Sequence, residues 1–177
     1  ISGATWTTSI KGSALSFDGS NDYLSVSSVQ GLTGGNAPHS ITAWIKVNSL
    51  PPNRAWILLL GNAGTGSHHW LINSQGGTQF GAWSGGQTSP SLPAGVWKHI
   101  AMVFDGTTLK CYVDGVLSQS VSATFNLAGI PLTVAQGYVS ENYFDGIIDE
   151  VRVYDYALSA DKVATLATIA NYHFDEN

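Results

Sequence analysis

The sequence predicts an all-β fold, a two-sheet antiparallel sandwich of jelly-roll type with one short C-terminal helix. Three observations predict it. Only 11% of the 177 residues are charged, against about 25% in an average globular chain. Polarity is carried instead by Ser, Thr, Asn and 20 Gly, a mixture poorly suited to long surface helices and well suited to strands joined by turns. Asp-Gly also occurs twice between apolar-alternating runs, at Asp105-Gly106 and Asp114-Gly115, and in that setting it is a strong hairpin signal because both turn positions want positive φ.

The elements follow in order, each run closed by Gly, Asn, Asp or Pro. Strands are expected at Ala4–Thr7, Ala14–Phe17, Tyr23–Val26 and Ser40–Val47, then at Ala55–Leu60, His69–Asn73, Gln79–Trp83 and Trp97–Phe104. The last group is Thr108–Val113, Leu117–Val121, Leu132–Ala135 and Gly146–Tyr154. The two Asp-Gly pairs make the runs from Trp97 to Val121 three successive antiparallel strands. One helix is expected over Ser159–Ala167, with Ser159 capping its first turn and Val163 and Leu166 supplying a small apolar face. Gly31–Asn36, Gly61–Ser67 and Ser84–Pro93 read as long loops, the usual carriers of function on a tight frame.

Composition excludes several partners. The formal net charge is −5, from seven Lys and Arg against twelve Asp and Glu, with the basic residues scattered, so neither nucleic acid nor an anionic membrane is expected as a partner. No apolar run approaches the roughly 20 residues of a membrane span, and no signal peptide is recognisable. Cys111 lies inside an apolar strand pattern and reads as a buried, inert thiol. The chain opens at Ile1 in mid-pattern, and the whole of 1–177 reads as a single domain cut from a longer protein.

Three segments carry a resemblance. They are Gly12-Ser13-Ala14-Leu15-Ser16-Phe17-Asp18-Gly19-Ser20-Asn21-Asp22-Tyr23-Leu24, then Val96-Trp97-Lys98-His99-Ile100-Ala101-Met102-Val103-Phe104-Asp105-Gly106 running on to Tyr112-Val113-Asp114-Gly115, and Phe144-Asp145-Gly146-Ile147-Ile148-Asp149-Glu150-Val151-Arg152-Val153-Tyr154 with Ala157-Leu158-Ser159. Together with Ser40–Lys46 they resemble the bacterial laminin-G-like, concanavalin-A-like jelly rolls, over nearly the whole chain. The resemblance implies two facing sheets, often a calcium ion, and frequently carbohydrate binding or adhesion. It also implies a secreted or cell-surface protein with other domains in the same parent chain. Residues 169–177 resemble the strand that opens such a domain, either beginning a second copy or closing this domain's own sheet.

Calcium takes six to eight hard oxygens from turns, and Asp18, Asn21 and Asp22 crowd one Gly-containing turn; the resemblance adds Asp149, which sits mid-strand among apolar residues and needs a partner if buried. Arg152 is the competing partner of Asp149, and Asx turns are the competing role of Asp18 and Asp22. A glycosidase needs two carboxyl groups facing one bond, but neighbours on a strand point to opposite faces, so Asp149 and Glu150 cannot form that pair. Adjacent His68 and His69 are not spaced for zinc.

The aromatics divide by the resemblance: Trp44, Trp97, Phe104, Tyr112, Phe144 and Tyr154 match frame positions, whereas Trp56, Trp70, Trp83, Tyr138 and Tyr143 lie in or beside variable stretches. Sugar rings stack their C–H faces on indole while Asn, Gln and His read hydroxyls. Gln79, Gly81 and Trp83 share one strand face, and His69, Leu71 and Asn73 share another, with Trp70 opposite. The expected ligand-binding set is therefore Trp83 with Gln79, then His69, Asn73, Trp56, Tyr138 and Tyr143. The resulting reading is a non-catalytic module that binds a polysaccharide or glycan, stabilised by calcium; an adhesion domain using the same loops is the alternative, and a small glucanase or lyase a third.

Overall fold

A computed structural model describes residues 1–10, 12–61, 68–82, 87–89, 91–127, 130–137 and 142–168. Among them are strands β1 (Thr5–Ser9), β2 (Gly12–Asp18), β3 (Leu24–Val26), β4 (His39–Val47), β5 (Arg54–Leu60), β6 (His68–Asn73) and β7 (Thr78–Ala82). There follow β8 (Gln87–Ser89), β9 (Trp97–Phe104), β10 (Thr108–Val113), β11 (Val116–Ser122), β12 (Leu132–Val134), β13 (Asp145–Tyr154) and one helix, α1 (Ala160–Thr168). A larger sheet has the order β1-β2-β13-β4-β9-β10-β11, a smaller one β3-β12-β5-β6-β7-β8, and every pairing is antiparallel. The expected two-sheet sandwich with a single short helix is what forms. Strand β8 falls within the stretch expected to be a loop, since Gln87-Thr88-Ser89 is wholly polar and carries no apolar alternation.

Period-2 alternation builds the core. Ile41, Ala43, Ile45 and Val47 of β4 face Ile57, Leu60, Trp70, Ile72 and Phe80 of the smaller sheet in one buried cluster. The intervening Ser40, Thr42, Trp44 and Lys46 take the outer face of the larger sheet. That face is partly covered by α1, which buries Val163 and Leu166 against Ala101, Val103 and Tyr112. Ser159 caps the helix, its Oγ accepting the Lys162 N–H at 3.2 Å. Ser40 Oγ accepts the Leu158 N–H and donates to the Tyr156 carbonyl, tying the helix entrance to β4. Cys111 is buried in the core, and Trp44, Phe104, Tyr112 and Phe144 are buried as expected.

The two Asp-Gly turns differ. Asp114 (φ 51°) and Gly115 (φ 79°) both adopt positive φ between the paired Val113 and Val116, the tight turn the dipeptide predicts. At the other turn Asp105 N–H bonds to the Thr108 carbonyl, so Gly106-Thr107 is the centre, and only Gly106 has positive φ. Asp105 Oδ1 instead accepts the Thr107 and Thr108 N–H groups and the Thr107 hydroxyl. Those bonds hold the Asp105 carboxyl below the ordinary carboxylate range, with Lys110 contributing less.

Candidate functional site

Register brings several of the expected ligand-binding residues to the outer face of the smaller sheet. Trp56 pairs with Leu71 and Leu71 with Gln79, forming one row across three strands. Leu59, His69 and Gly81 form the next row. Trp70, in contrast, is fully buried in the core, where it packs on Phe80 with ring centroids 6.1 Å apart; it is framework rather than a variable-surface aromatic. Trp83 and Tyr138 lie outside the described residues, as does the side chain of His69.

Trp56 is on the expected face but is no open platform. It is 5% exposed and packs on Leu59. Ala135–Gly137 and Asn142–Phe144 lie over it. Ala135 N–H bonds to the Ile57 carbonyl, Phe144 N–H to the Ala135 carbonyl, and the Trp56 N–H to the Asn142 carbonyl. Gly137 rests on the indole, so close that a Cβ there would overlap Cδ1, Nε1 and Cε2. This corrects the expectation that Trp56 stacks on ligand. Half-buried Tyr143 belongs to the same cover, its hydroxyl accepting from Gln136 Nε2 at 3.0 Å. Gln136 and Gly137 escaped sequence reasoning; Gly137 in an otherwise ordinary run was the available signal for a close backbone approach.

Asn73 is exposed and also shapes a turn. Its Oδ1 accepts the Gln75 N–H at 2.9 Å, while its backbone brackets the turn through bonds to Gly76 and Gly77. The amide closes the β6–β7 connection, an ordinary Asx turn. Gln79, by comparison, is half-buried in the middle of its row.

The expected calcium ligands do not converge as one set. Asp18, Asn21 and Asp22 share a turn, with Asp18 Oδ1 accepting the Ser20 N–H at 2.8 Å and Asp22 Oδ2 accepting the Asp18 N–H at 3.0 Å. Asp22 is buried, at 6% exposure, with its second oxygen and the Asn21 side-chain oxygen close to Gly3. Asp149 is elsewhere. Asp145 is the β13 residue that pairs with Asp18, and Asp149 lies four positions further along, about 13 Å at strand rise. Its carboxylate is held by Ser9 Oγ and by the Glu150 N–H, the latter at 2.7 Å. Arg152 is not its partner either, for it pairs with Glu150. The bulge between Asp149 and Arg152, with Glu150 at φ 51°, breaks the spacing that a straight strand would have given. No group of three or more His, Cys, Asp or Glu is assembled for a metal among the described residues. The donors that fit calcium chemically are the oxygens of Asp18, Asn21 and Asp22, without Asp149.

His99, 2% exposed, packs on Trp44 with ring centroids 5.3 Å apart, and its backbone N–H donates to Asp114 Oδ1. No helix among the described residues is long and apolar enough to cross a membrane.

Comparison with known proteins agrees with this architecture. Domain 4 of AbnA, a GH43 extracellular arabinanase from Geobacillus stearothermophilus solved with arabinotriose, superposes with a TM-score of 0.74 at 23% identity, covering 94% of this chain and 82% of that one. Trypanosoma rangeli sialidase, solved with the inhibitor DANA, gives 0.74 at 14% identity over 94% of this chain and 28% of its own. The binding domain of Paraclostridial Mosquitocidal Protein 1 gives 0.73 at 16%, over 95% and 46%. The chain thus spans less than half the length of the latter two structures, and at these identities the likeness is one of fold. No match emerges among curated proteins. The family model of the concanavalin A-like lectin/glucanases superfamily matches residues 18–164, and the chain belongs to that family.

Proposed function

We propose that this chain is a non-catalytic carbohydrate-binding module of an exported multidomain protein, reading its glycan on the outer face of the smaller sheet. The observation that carries the reading is the juxtaposition of Gln79 with the anchored cover that holds Tyr143 and Gln136. Gln79 lies two strands from Trp56 in one row, about 10 Å across the sheet, and the cover rests on Trp56. A short sugar chain laid along the row meets amide and phenol groups fixed in place before it arrives, which lowers the ordering cost of binding. The arabinotriose-bound arabinanase domain and the toxin's binding domain support a binding role on this fold.

The non-catalytic half of the reading rests on how the described carboxylates are used. Asp145 accepts from Asn48 and Ser49, Asp149 from Ser9, and Glu150 pairs with Arg152. Glu141 and Glu176 lie outside the described residues. Calcium belongs to the same proposal, as a stabiliser held by Asp18, Asn21 and Asp22.

A glycan array on the isolated chain, followed by titration of a hit, tests the function. Trp83→Ala or Gln79→Ala should weaken binding by ~1–3 kcal/mol with little change in melting temperature. A blank array would favour the adhesion reading, and turnover of any bound glycan would overturn the non-catalytic one.

A further inference from the structure

A second recess, distinct from the smaller sheet, lies at the end of the sandwich where β4 begins and β9 ends. It is open to solvent, has a volume of about 510 Å³ and is lined by Asn36, Gly106, Thr107, Ser122, Ala123 and Thr124, with Thr107, Ser122 and Thr124 exposed. That volume is in the range of small-molecule sites, about 300–1,000 Å³. None of the lining residues belongs to the smaller sheet. The Asp18–Asp22 turn is at the opposite end of the larger sheet, since His39 of β4 pairs with Phe104 here while Val47 pairs with Gly146 there.

The walls are tied to one another across long stretches of sequence. Asn36 Nδ2 donates to the Gly106 carbonyl at 2.7 Å, and Asn36 Oδ1 accepts the Phe125 N–H at 2.8 Å. The Ala123 N–H bonds to the Thr107 carbonyl at 2.9 Å. Beneath, buried Phe125 packs edge-on against Phe104, ring centroids 4.7 Å apart. The recess is therefore formed before any ligand arrives, and little ordering cost remains to be met on binding.

Its chemistry is uncharged. Asp105, next to Gly106 in sequence, has Oδ1 occupied by two backbone N–H groups and the Thr107 hydroxyl, and its Oδ2 lies 3.7 Å from Lys110 Nζ. With its proton given to Asp105, the Thr107 hydroxyl has lone pairs left to accept from a ligand, whereas Ser122 and Thr124 can both donate and accept. The Ala123 methyl is the largest apolar group in the lining, too small to anchor a protein partner through a buried side chain. Hydroxyls, a methyl group and no charge match a neutral polyhydroxy molecule with C–H faces. We propose that this recess is a second binding site, taking the end of a short neutral oligosaccharide and separate from the site on the smaller sheet.

Amide-resolved NMR titration of the whole chain with cellotriose, arabinotriose and maltotriose, and with sialyllactose as a charged probe, tests it. Saturable shifts are expected at the amides of Gly106, Thr107, Ala123 and Thr124 with at least one neutral trisaccharide. They should survive Gln79→Ala and weaken about tenfold or more in Ala123→Phe or Thr124→Tyr; two blocking variants guard against one that misfolds. Silence of those amides up to about 10 mM of every neutral probe, ten times the Kd of a millimolar binder, would overturn the proposal. Unchanged shifts in both well-folded blocking variants, or tighter binding of sialyllactose there, would do the same. Shifts confined to Gln79 and Tyr143 sink this site and leave the smaller-sheet reading standing, and shifts confined to the recess do the reverse.

Discussion

The backbone of Gly137 lies against the indole of Trp56, and a Cβ on it would overlap the ring. This contact decides that the aromatic on the outer face of the smaller sheet is a foundation for the cover rather than a platform for ligand. Gly137→Ala must lift the cover from the indole. A loss of about 1–3 kcal/mol in urea unfolding is expected, the usual cost of overpacking. Trp56→Ala should cost about 3–5 kcal/mol. A Gly137→Ala variant as stable as the parent would mean that the cover yields freely.

Asp149 serves the β1–β2 hairpin through Ser9 and its own following backbone through the Glu150 N–H. Asp149→Ala removes two hydrogen bonds to a charged group and should cost about 1–3 kcal/mol, whether or not calcium is present. If the ion sits on the Asp18–Asp22 turn, any loss of melting temperature on chelation should persist in Asp149→Ala and vanish in Asp22→Ala. Chelator melts of metal-free and calcium-loaded protein check both statements. Disappearance of the chelator effect in Asp149→Ala would restore Asp149 to the ligand set.

His39 is buried beside Phe104 and Phe125, its Nδ1 2.8 Å from the Ala37 carbonyl. Burial lowers its pKa from 6.5, outweighing the opposing effect of the Ala37 bond. Below pH 6.5 the unfolded chain takes up a proton that the folded one resists, so stability held at neutral pH falls as the solution is acidified. The slope for this one group is at most about 1.4 kcal/mol per pH unit. Urea midpoints at several pH values from neutral downward should show the decline in the parent and a shallower one in His39→Gln. Equal slopes would show that His39 titrates normally.

The two Asp-Gly hairpins should answer differently to substitution. Both Gly106 and Gly115 have positive φ. A Cβ on Gly115, however, would sit 2.9 Å from Ala164 Cα in α1, while on Gly106 nothing comes nearer than 3.8 Å. Gly106→Ala is expected to cost on the order of 1 kcal/mol, from the backbone alone. Gly115→Ala should cost more, because the helix must also shift. Thermal melts of the two variants compare them directly, and a larger loss at Gly106 would contradict the packing of α1 on this turn.

The all-β class, twelve of the strands and the helix are legible in the sequence, because alternation and turn residues act locally. The faces of β6 and β7 are legible for the same reason. Trp70 falls opposite His69 and Leu71, and Gln79 shares a face with Gly81, by strand geometry alone. Only tertiary structure decided what covers each face. Trp56 and Trp70 carry the same side chain, yet one lies under Gly137 and is bonded to Asn142 while the other enters the core. Asp149 was legible as a buried carboxylate in need of a partner, but not as the partner of Ser9, which lies 140 residues away in sequence. The end recess likewise joins residues near 36, 106 and 123. Periodicity reports on which side of its own strand a residue points; which distant segment meets it there depends on sheet order and on bulges, and no local pattern encodes either.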